Sequence, residues 1–447
     1  MSDFRYIACA AFISCFSAIP AHCQVSEPAP PPLPSSEEAW AIHGQDTLVA
    51  QAVTTFRSPY VGPNSLTPNQ IKETFDATAY VGVRTWRGAE FWVNPEIDQG
   101  FGLSNTLGAA GFPSAEAYKV GKQTPYVRLQ RMFLRQTISL GGAKQPVNGS
   151  INQLGGTQSA NRIVLTLGKF GVGDVFDTNS YAHDPRADFL NWSVVDAGNF
   201  DYAADAWGYS YGAAAEWYRN AWTLRFGAFN LSKVPNGEIL EHDFRQYQLV
   251  TEIEHRHHFA GKAGAIRFTL FRNRGNFSRL DDAVALALTT GNPVNPGLTR
   301  RRMTRLGGHI NVEQAITDSL GIFARAGVSD GSIETYDFTD IDRTVAVGGS
   351  LRGVGWKRRD DTIGIAFVVN GISKAHQRYL NAGGLGVLVG DGRLPHPSDE
   401  FIAESYYDLR VSHGIDLSLD YQLIANPAYN RDRGPANVLA LRFHGAF

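Results

Sequence analysis

Residues Ala436 to Phe447 alternate strictly, with Leu439, Leu441, Phe443 and Phe447 on one face and Ala440, Arg442 and His444 on the other. A period-two segment that is apolar on one side and polar on the other is a half-buried strand. Where the apolar side meets lipid, the backbone has no water to bond, so every strand must be paired sideways in a closed barrel. A Phe at the last position of such a strand is the customary ending of a bacterial outer-membrane β-barrel. Compartment and fold class are both expected from that segment: all-β, a transmembrane antiparallel barrel of the bacterial outer-membrane type.

The first residues agree. Met1 to Cys23 carry Arg5, an apolar stretch from Tyr6 to Ile19 and small residues from Ala18 to Cys23, the pattern of a secretory signal peptide. Cleavage after Cys23 or after Ala21 fits, and a lipoprotein reading of Cys23 is disfavoured by His22, where a small residue is wanted. The 3 cysteines are Cys9, Cys15 and Cys23, so cleavage after Cys23 leaves no thiol. Disulfides, Cys-ligated zinc and a Cys nucleophile are then excluded together. Beyond the signal there is no apolar run of about 18 residues, so a membrane position requires strands. A net charge of -2 gives no reason to expect a nucleic-acid partner.

Residues Gln24 to Ser36, with Pro28, Pro30, Pro31, Pro32 and Pro34, read as a stiff extended spacer. The expected organisation is a signal at 1–23, a Pro-rich periplasmic segment at 24–44 and a barrel at 45–447. A short helix over Ser35 to His43 is expected to plug or line the periplasmic mouth. Sixteen strands are expected near 45–57, 74–84, 89–95, 128–140, 161–170, 208–218, 222–230, 244–258, 265–274, 303–315, 319–327, 342–353, 361–370, 400–413, 415–424 and 436–447. Two soluble sandwiches are the alternative for a β-rich chain of this length, but the connections disfavour them. Short links (Thr85 to Gly88, Arg219 to Ala221, Ala260 to Gly264, Ala315 to Ser319, His413-Gly414) follow even-numbered strands. Long ones (Glu96 to Val127, Gly171 to Trp207, Gly275 to Arg302, Gly371 to Glu400) follow odd-numbered strands. Gly141 to Ala160 is the exception, a long Gly/Asn/Gln-rich turn on the short side. With short turns in the periplasm and long loops outside, both termini are expected to be periplasmic.

The lumen decides what passes. Gly88 to Pro95 puts Glu90, Trp92 and Asn94 on one face with Glu96 just beyond, and Phe91, Val93 and Ile97 on the other. Carboxylates, an amide and an indole offer a sugar hydrogen bonds for its hydroxyls and an aromatic face for its C–H surface. Arg84, Arg128, Arg131 and Arg135 add guanidinium groups, with Arg131 and Arg135 four apart on one face. Fixed charges of both signs are a common porin device for orienting polar solutes, and the plainer reading is that they solvate a wet interior. The loops Glu96 to Val127 (Phe101, Phe112, Tyr118) and Gly171 to Trp207 (Asp174, Asp177, Asn179, Asp184, Arg186, Asp188, Asn191) are expected to fold inward and narrow the pore. The run D-V-F-D-T-N also suits calcium through oxygen ligands but lacks EF-hand spacing, which favours a salt-bridged constriction.

The runs E-T-F-D-A-T-A-Y-V-G-V-R-T-W-R-G-A-E-F-W-V-N-P-E-I-D-Q-G-F-G-L-S, L-Q-R-M-F-L-R-Q-T-I, K-F-G-V-G-D-V-F-D-T-N, D-P-R-A-D-F-L-N-W and Y-Q-L-I-A-N-P-A-Y-N resemble the carbohydrate-selective porins of the OprB type. The likeness runs from about Gly44 to Phe447, is strong at 73–140 and 161–230, and thins at 275–302 and 371–399. It implies a sixteen-stranded barrel, passive uptake of monosaccharides such as glucose, and an eyelet of arginines and acidic residues on inward loops. Carried onto the matching motifs, it marks Arg84, Glu90, Trp92, Glu96, Asp98, Arg128, Arg131 and Arg135 as channel-lining candidates.

No catalysis, cofactor or metal is expected. Gly208-Tyr209-Ser210-Tyr211-Gly212 fits G-x-S-x-G, but it lies in an alternating strand rather than at a strand-to-helix turn, which disfavours an outer-membrane hydrolase. His255, His257 and His258 end a strand without a carboxylate at ligand spacing and read as solvated. Expected partners are mono- or small oligosaccharides, outer-membrane lipids and the barrel-assembly machinery through Phe447, for a monomer or homotrimer. A general diffusion porin for small polar solutes is the alternative function.

Overall fold

The computed structural model describes residues 37–447 apart from Tyr118. The expected signal peptide, the Pro-rich spacer up to Ser36 and Tyr118 lie outside the described residues. The strands are β1 (Trp40–Val53), β2 (Gln70–Trp86), β3 (Ala89–Gly100), β4 (Lys122–Ser139), β5 (Lys144–Val147), β6 (Gly156–Ser159), β7 (Arg162–Phe170), β8 (Ser210–Arg219), β9 (Trp222–Asn230), β10 (Tyr247–Phe259), β11 (Lys262–Phe277), β12 (Arg301–Ala315), β13 (Leu320–Ser329), β14 (Arg343–Gly353), β15 (Arg358–Gly371), β16 (Glu400–Ser412), β17 (Ile415–Ala425) and β18 (Ala436–Ala446). Sixteen of them, β1 to β4 and β7 to β18, form one closed antiparallel barrel that ends with β1 paired to β18. Each expected strand overlaps one of these, and β5 and β6 form a separate hairpin.

The alternation that sets the strands also sets their faces. In β18, Leu439, Leu441 and Phe443 are exposed outward while Ala440 and Arg442 are buried inside. Outward Trp40, Trp86, Trp222 and Phe259 cluster at the short-turn end of the wall, and Tyr211, Phe401 and Tyr421 stand near the long-loop end. Aromatic side chains at those two heights suit the interfaces of a bilayer.

Of the helix expected over Ser35 to His43, the described residues 37–43 form none. Trp40 to Gly44 are strand, paired with Val83 to Ala79 of β2. Trp40 and Ile42 face out and Ala41 faces in, a period of two rather than 3.6, and the edge of β2 would otherwise carry bare N–H and C=O groups in lipid. The barrel therefore begins inside the segment expected to precede it. At the same end, Gly44 and Phe447 exchange both backbone hydrogen bonds, at 3.0 and 2.9 Å.

The loops at the opposite end turn inward. Residues 101–121 and 171–209 are largely buried, and residues of both enter the main apolar cluster, among them Phe112, Phe176, Trp192 and Phe200. The second loop carries the short helix α1 (Trp192–Val195). Helices α2 (Leu280–Thr290) and α3 (Lys374–Asn381) sit in the loops after β11 and β15. At the short-turn end, the exceptional link between β4 and β7 also enters the lumen. Asn152 bonds Asn94 and Arg135, and Leu154 N–H donates to Glu90.

Trp92 packs against Gly82 of β2, where a Cβ would fall 2.5 Å from the indole ring. Gly82→Val is expected to cost about 1–3 kcal/mol by overpacking. The check is the temperature at which the folded, fast-migrating gel band converts to the slow one, which should fall; an unchanged midpoint would show that the wall gives way there without strain.

Candidate functional site

The inward loops leave a cavity of about 480 Å³ at mid-lumen, a size typical of small-molecule sites, which run on the order of 300–1,000 Å³. Tyr80, Glu116, Arg131, Asp174, Arg186 and Tyr209 are among its lining groups. Tyr80 and Arg131 come from the wall, Glu116 from the first inward loop, and Asp174, Arg186 and Tyr209 from the second.

Most charges in this lining are paired. Arg131 grips Asp174 with two parallel bonds, Nε to Oδ2 at 2.8 Å and Nη2 to Oδ1 at 2.7 Å, and its Nη1 donates to the Tyr209 hydroxyl at 3.3 Å. Such fork-to-fork pairs fix orientation as well as charge. Burial alone would raise the Asp174 carboxyl, but Arg131 and the Gly171 N–H hold it below the usual carboxylate range. Arg186 stands among three acids, with Asp76 and Glu116 at 3.3 Å and Glu96 at 4.0 Å. Burial pushes Glu116 up, with Arg186 pulling the other way. Towards the loops, Asp205 takes Lys169 at 3.0 Å and Arg128 at 3.6 Å, and the Arg128 guanidinium lies 3.3 Å from the Trp207 ring centre.

A bulge brings the arginines of β4 together. Asn94 pairs with Arg131 and Pro95 with Leu129, so Gln130 is an extra residue, and Gln130 and Arg131 both turn inward between outward Leu129 and Met132. Pro95 has no N–H to give the ladder, which makes this the natural place for the bulge. Arg128, three positions before Arg131, thereby shares its face. Arg128, Arg131 and Arg135 then descend the lumen from loop end to turn end.

Below the mid-lumen cavity lies a second one of about 900 Å³, lined by Glu37, Arg84, Glu90, Arg162 and Glu216 among others. Arg135, Gln153 and Asp174 line both, so the two meet there. The inward link narrows this passage. Arg84 donates to the carbonyls of Glu38 and Gly155, Glu38 accepts from Gly155 N–H at 2.7 Å, and Arg135 donates to Asn152 O at 2.6 Å.

Of the eight candidate residues, Arg131 and Arg135 line the mid-lumen cavity, Arg84, Glu90 and Arg135 line the lower one, and Arg128 lies on Trp207 towards the loops. Trp92 faces inward as expected but is fully buried, its indole N–H on Glu90, so no ring face is open for a sugar. Glu96 and Asp98 are also buried. Glu96 accepts from Thr78 at 2.5 Å and Gln130 at 2.9 Å, and lies 4.0 Å from Arg186. Aromatic side chains at the cavity that keep some exposure include Tyr202, Trp207 and Tyr209. Asp177, in the run considered for calcium, is taken by Arg325, Asn311 and the Ala197 N–H. Ser210 donates to Asn230 O within the wall, and His255 packs at a tilt against Trp222, 4.3 Å between ring centres.

Comparison with known proteins agrees with the architecture. The chain matches the family described as carbohydrate-selective porin, OprB family, over residues 64–447. Among solved structures it is similar to the high-pH structure of Pseudomonas putida OprB, with a TM-score of 0.69 and 17% identity over 92% of this chain and 94% of that one. The low-pH structure of the same protein gives a TM-score of 0.50 and 12% identity over 92% and 93%. At these identities the structures speak for the fold alone. No curated protein sequence matches. The family match over most of the chain, on a closed sixteen-stranded wall around a narrowed polar lumen, places this protein among the carbohydrate-selective porins of the OprB family, a channel of the bacterial outer membrane and not an enzyme.

Proposed function

We propose that this porin passes monosaccharides, hexoses such as glucose, by diffusion down their gradient, with the long loops outside and both termini in the periplasm. The paired charges of the mid-lumen cavity carry the reading. A neutral, hydroxyl-rich solute gains hydrogen bonds from the Arg131–Asp174 pair and from Arg186 with the acids around it. Tyr202, Trp207 and Tyr209 supply apolar faces for the C–H surface of a ring. Because each hydrogen bond made there is weak, a solute that enters also leaves. The resemblance of the sequence to sugar-selective porins points the same way.

Three outcomes are expected. In liposome swelling, hexoses should permeate faster than amino acids of similar size; equal rates would instead identify a general diffusion porin. Arg131→Ala leaves Asp174 without its partner and should shift the reversal potential in a planar bilayer towards cation preference, while Asp174→Ala shifts it towards anions. If neither variant moves the potential, the pair does not face the permeation path. Removing residues 148–155 should raise single-channel conductance and flatten discrimination among sugars, and unaltered conductance would mean that the inward link leaves the path clear.

A further inference from the structure

The long-loop end of the wall over β10 to β12 breaks the rule that its outer surface is apolar. Along β11 the outward residues run Ile266, Phe268, Leu270 and then Arg272 and Arg274. On β12 they run Ile310, Gly308, Leu306, Thr304 and then Arg302. The register sets these side by side: Arg272 lies between Leu249 and Leu306, Arg274 between Tyr247 and Thr304, and Arg302 opposite Asn276. The stems therefore span about 14 Å along the wall, four residues at about 3.4 Å each. Among the described residues none of the three has a carboxylate at ion-pair distance. Arg274 donates to the Thr304 hydroxyl at 3.0 Å and Arg302 to the carbonyl of Arg245. The inward arginines of the same strands differ, Arg267 pairing with Glu254 and Glu313 and Arg305 with Asp201.

Beneath them and towards β13 and β14 is a groove of about 780 Å³ in the outer wall. Gly308 and Ala326 form its floor, where the surface dips for want of side chains, and Leu270, Leu306, Val328 and Val345 form its sides. Arg343 stands at its upper rim, held by Asp399. Apolar groove below and several cations above is the shape of a site for an amphiphile with more than one negative charge in its head.

We propose that this face binds a phosphorylated glycolipid of the outer leaflet, a bis-phosphorylated, multiply acylated disaccharide of the lipid A class, with acyl chains in the groove and phosphates on Arg272, Arg274 and Arg302. The assignment rests on the long loops facing outward, because that places the arginines at outer-leaflet headgroups. Three guanidiniums spread over that length suit two phosphates better than the single one of a phospholipid. A second copy docked symmetrically through this face would set its own arginines against these.

The test uses the full-length protein, delipidated in detergent and titrated with bis-phosphorylated lipid A under native mass spectrometry. One bound lipid is expected. Arg272→Glu/Arg274→Glu/Arg302→Glu should weaken binding about tenfold or more, and dephosphorylated lipid A should bind the unaltered protein comparably weakly. Gly308→Phe, which fills the groove and leaves the arginines in place, should also weaken it. Equal binding by protein and variants, equal binding of lipid A with and without phosphates, or displacement by an equal amount of phosphatidylglycerol would each overturn the assignment, as would an oligomer peak lost in the triple variant. Sugar swelling rates should be unchanged in all these variants. Lost lipid binding with intact sugar flux thus concerns this face alone, whereas absent sugar flux with intact lipid binding strikes the transport reading.

Discussion

Closure of β18 onto β1 is the constraint from which the rest follows. In a bilayer each unpaired N–H or C=O costs several kcal/mol, so a sheet with two open edges cannot stay in lipid. Nine residue pairs from Gln45–Ala446 to Val53–Val438 close the seam, and Trp40 to Gly44 complete the cover of β2. Once the wall is sealed, its outer face needs apolar side chains and its inner face is free to carry charge. The inside then has to be filled, because sixteen strands enclose far more space than one small solute needs.

Loops do the filling, and wall carboxylates hold them in place. Glu400 on β16 accepts backbone N–H groups from Ala110, Gly111 and Ala428, and Glu404 accepts those of Leu190 and Asn191. Glu252 on β10 takes the N–H of Asp177. Loop segments buried in a lumen would otherwise leave amides unbonded, so each acid satisfies a donor and pins a loop together. Arg325 on β13, between those strands in the wall, binds the carbonyls of Val194 and Ala182 in the same way. The eyelet groups Glu116, Asp174 and Arg186 thus ride on segments fixed at several points, and preorganised polar groups of this kind hold their geometry without a solute.

What could be read from the sequence was whatever lipid enforces locally. A wall facing hydrocarbon imposes a period of two, so the sixteen strands, their faces and the inward turn of Arg131 and Arg135 were legible residue by residue. Depth was not. Trp92 has the right parity, but whether an inward residue meets water or another layer depends on contacts distant in sequence, here Gly82 and the link from Gly141 to Ala160. The bulge at Gln130 was hidden too, since strict alternation separates Arg128 from Arg131; Pro95 on the partner strand was its one local sign. A helix is expected over 35–43, but covering the edge of β2 requires residues 40–43 to be strand. Glu116 and Tyr209 could not be placed in the eyelet because bonds to Glu400 and Asp205 position their segments.

Selectivity then comes from how the charges are arranged rather than how many there are. An unpaired arginine in a narrow lumen draws anions and repels cations, because the low-dielectric wall focuses its field. Beside Asp174 the same guanidinium presents a dipole whose field falls off faster, yet each member still has hydrogen-bonding capacity for a hydroxyl. A polyol can exchange its water for such groups with little net cost, while a bare ion gives up more hydration than the pair returns. At the junction of the two cavities Asp174 is already paired with Arg131 and Arg135 is bonded to the Asn152 carbonyl, so a solute meets groups whose hydrogen bonds are partly spent and is held tightly by none.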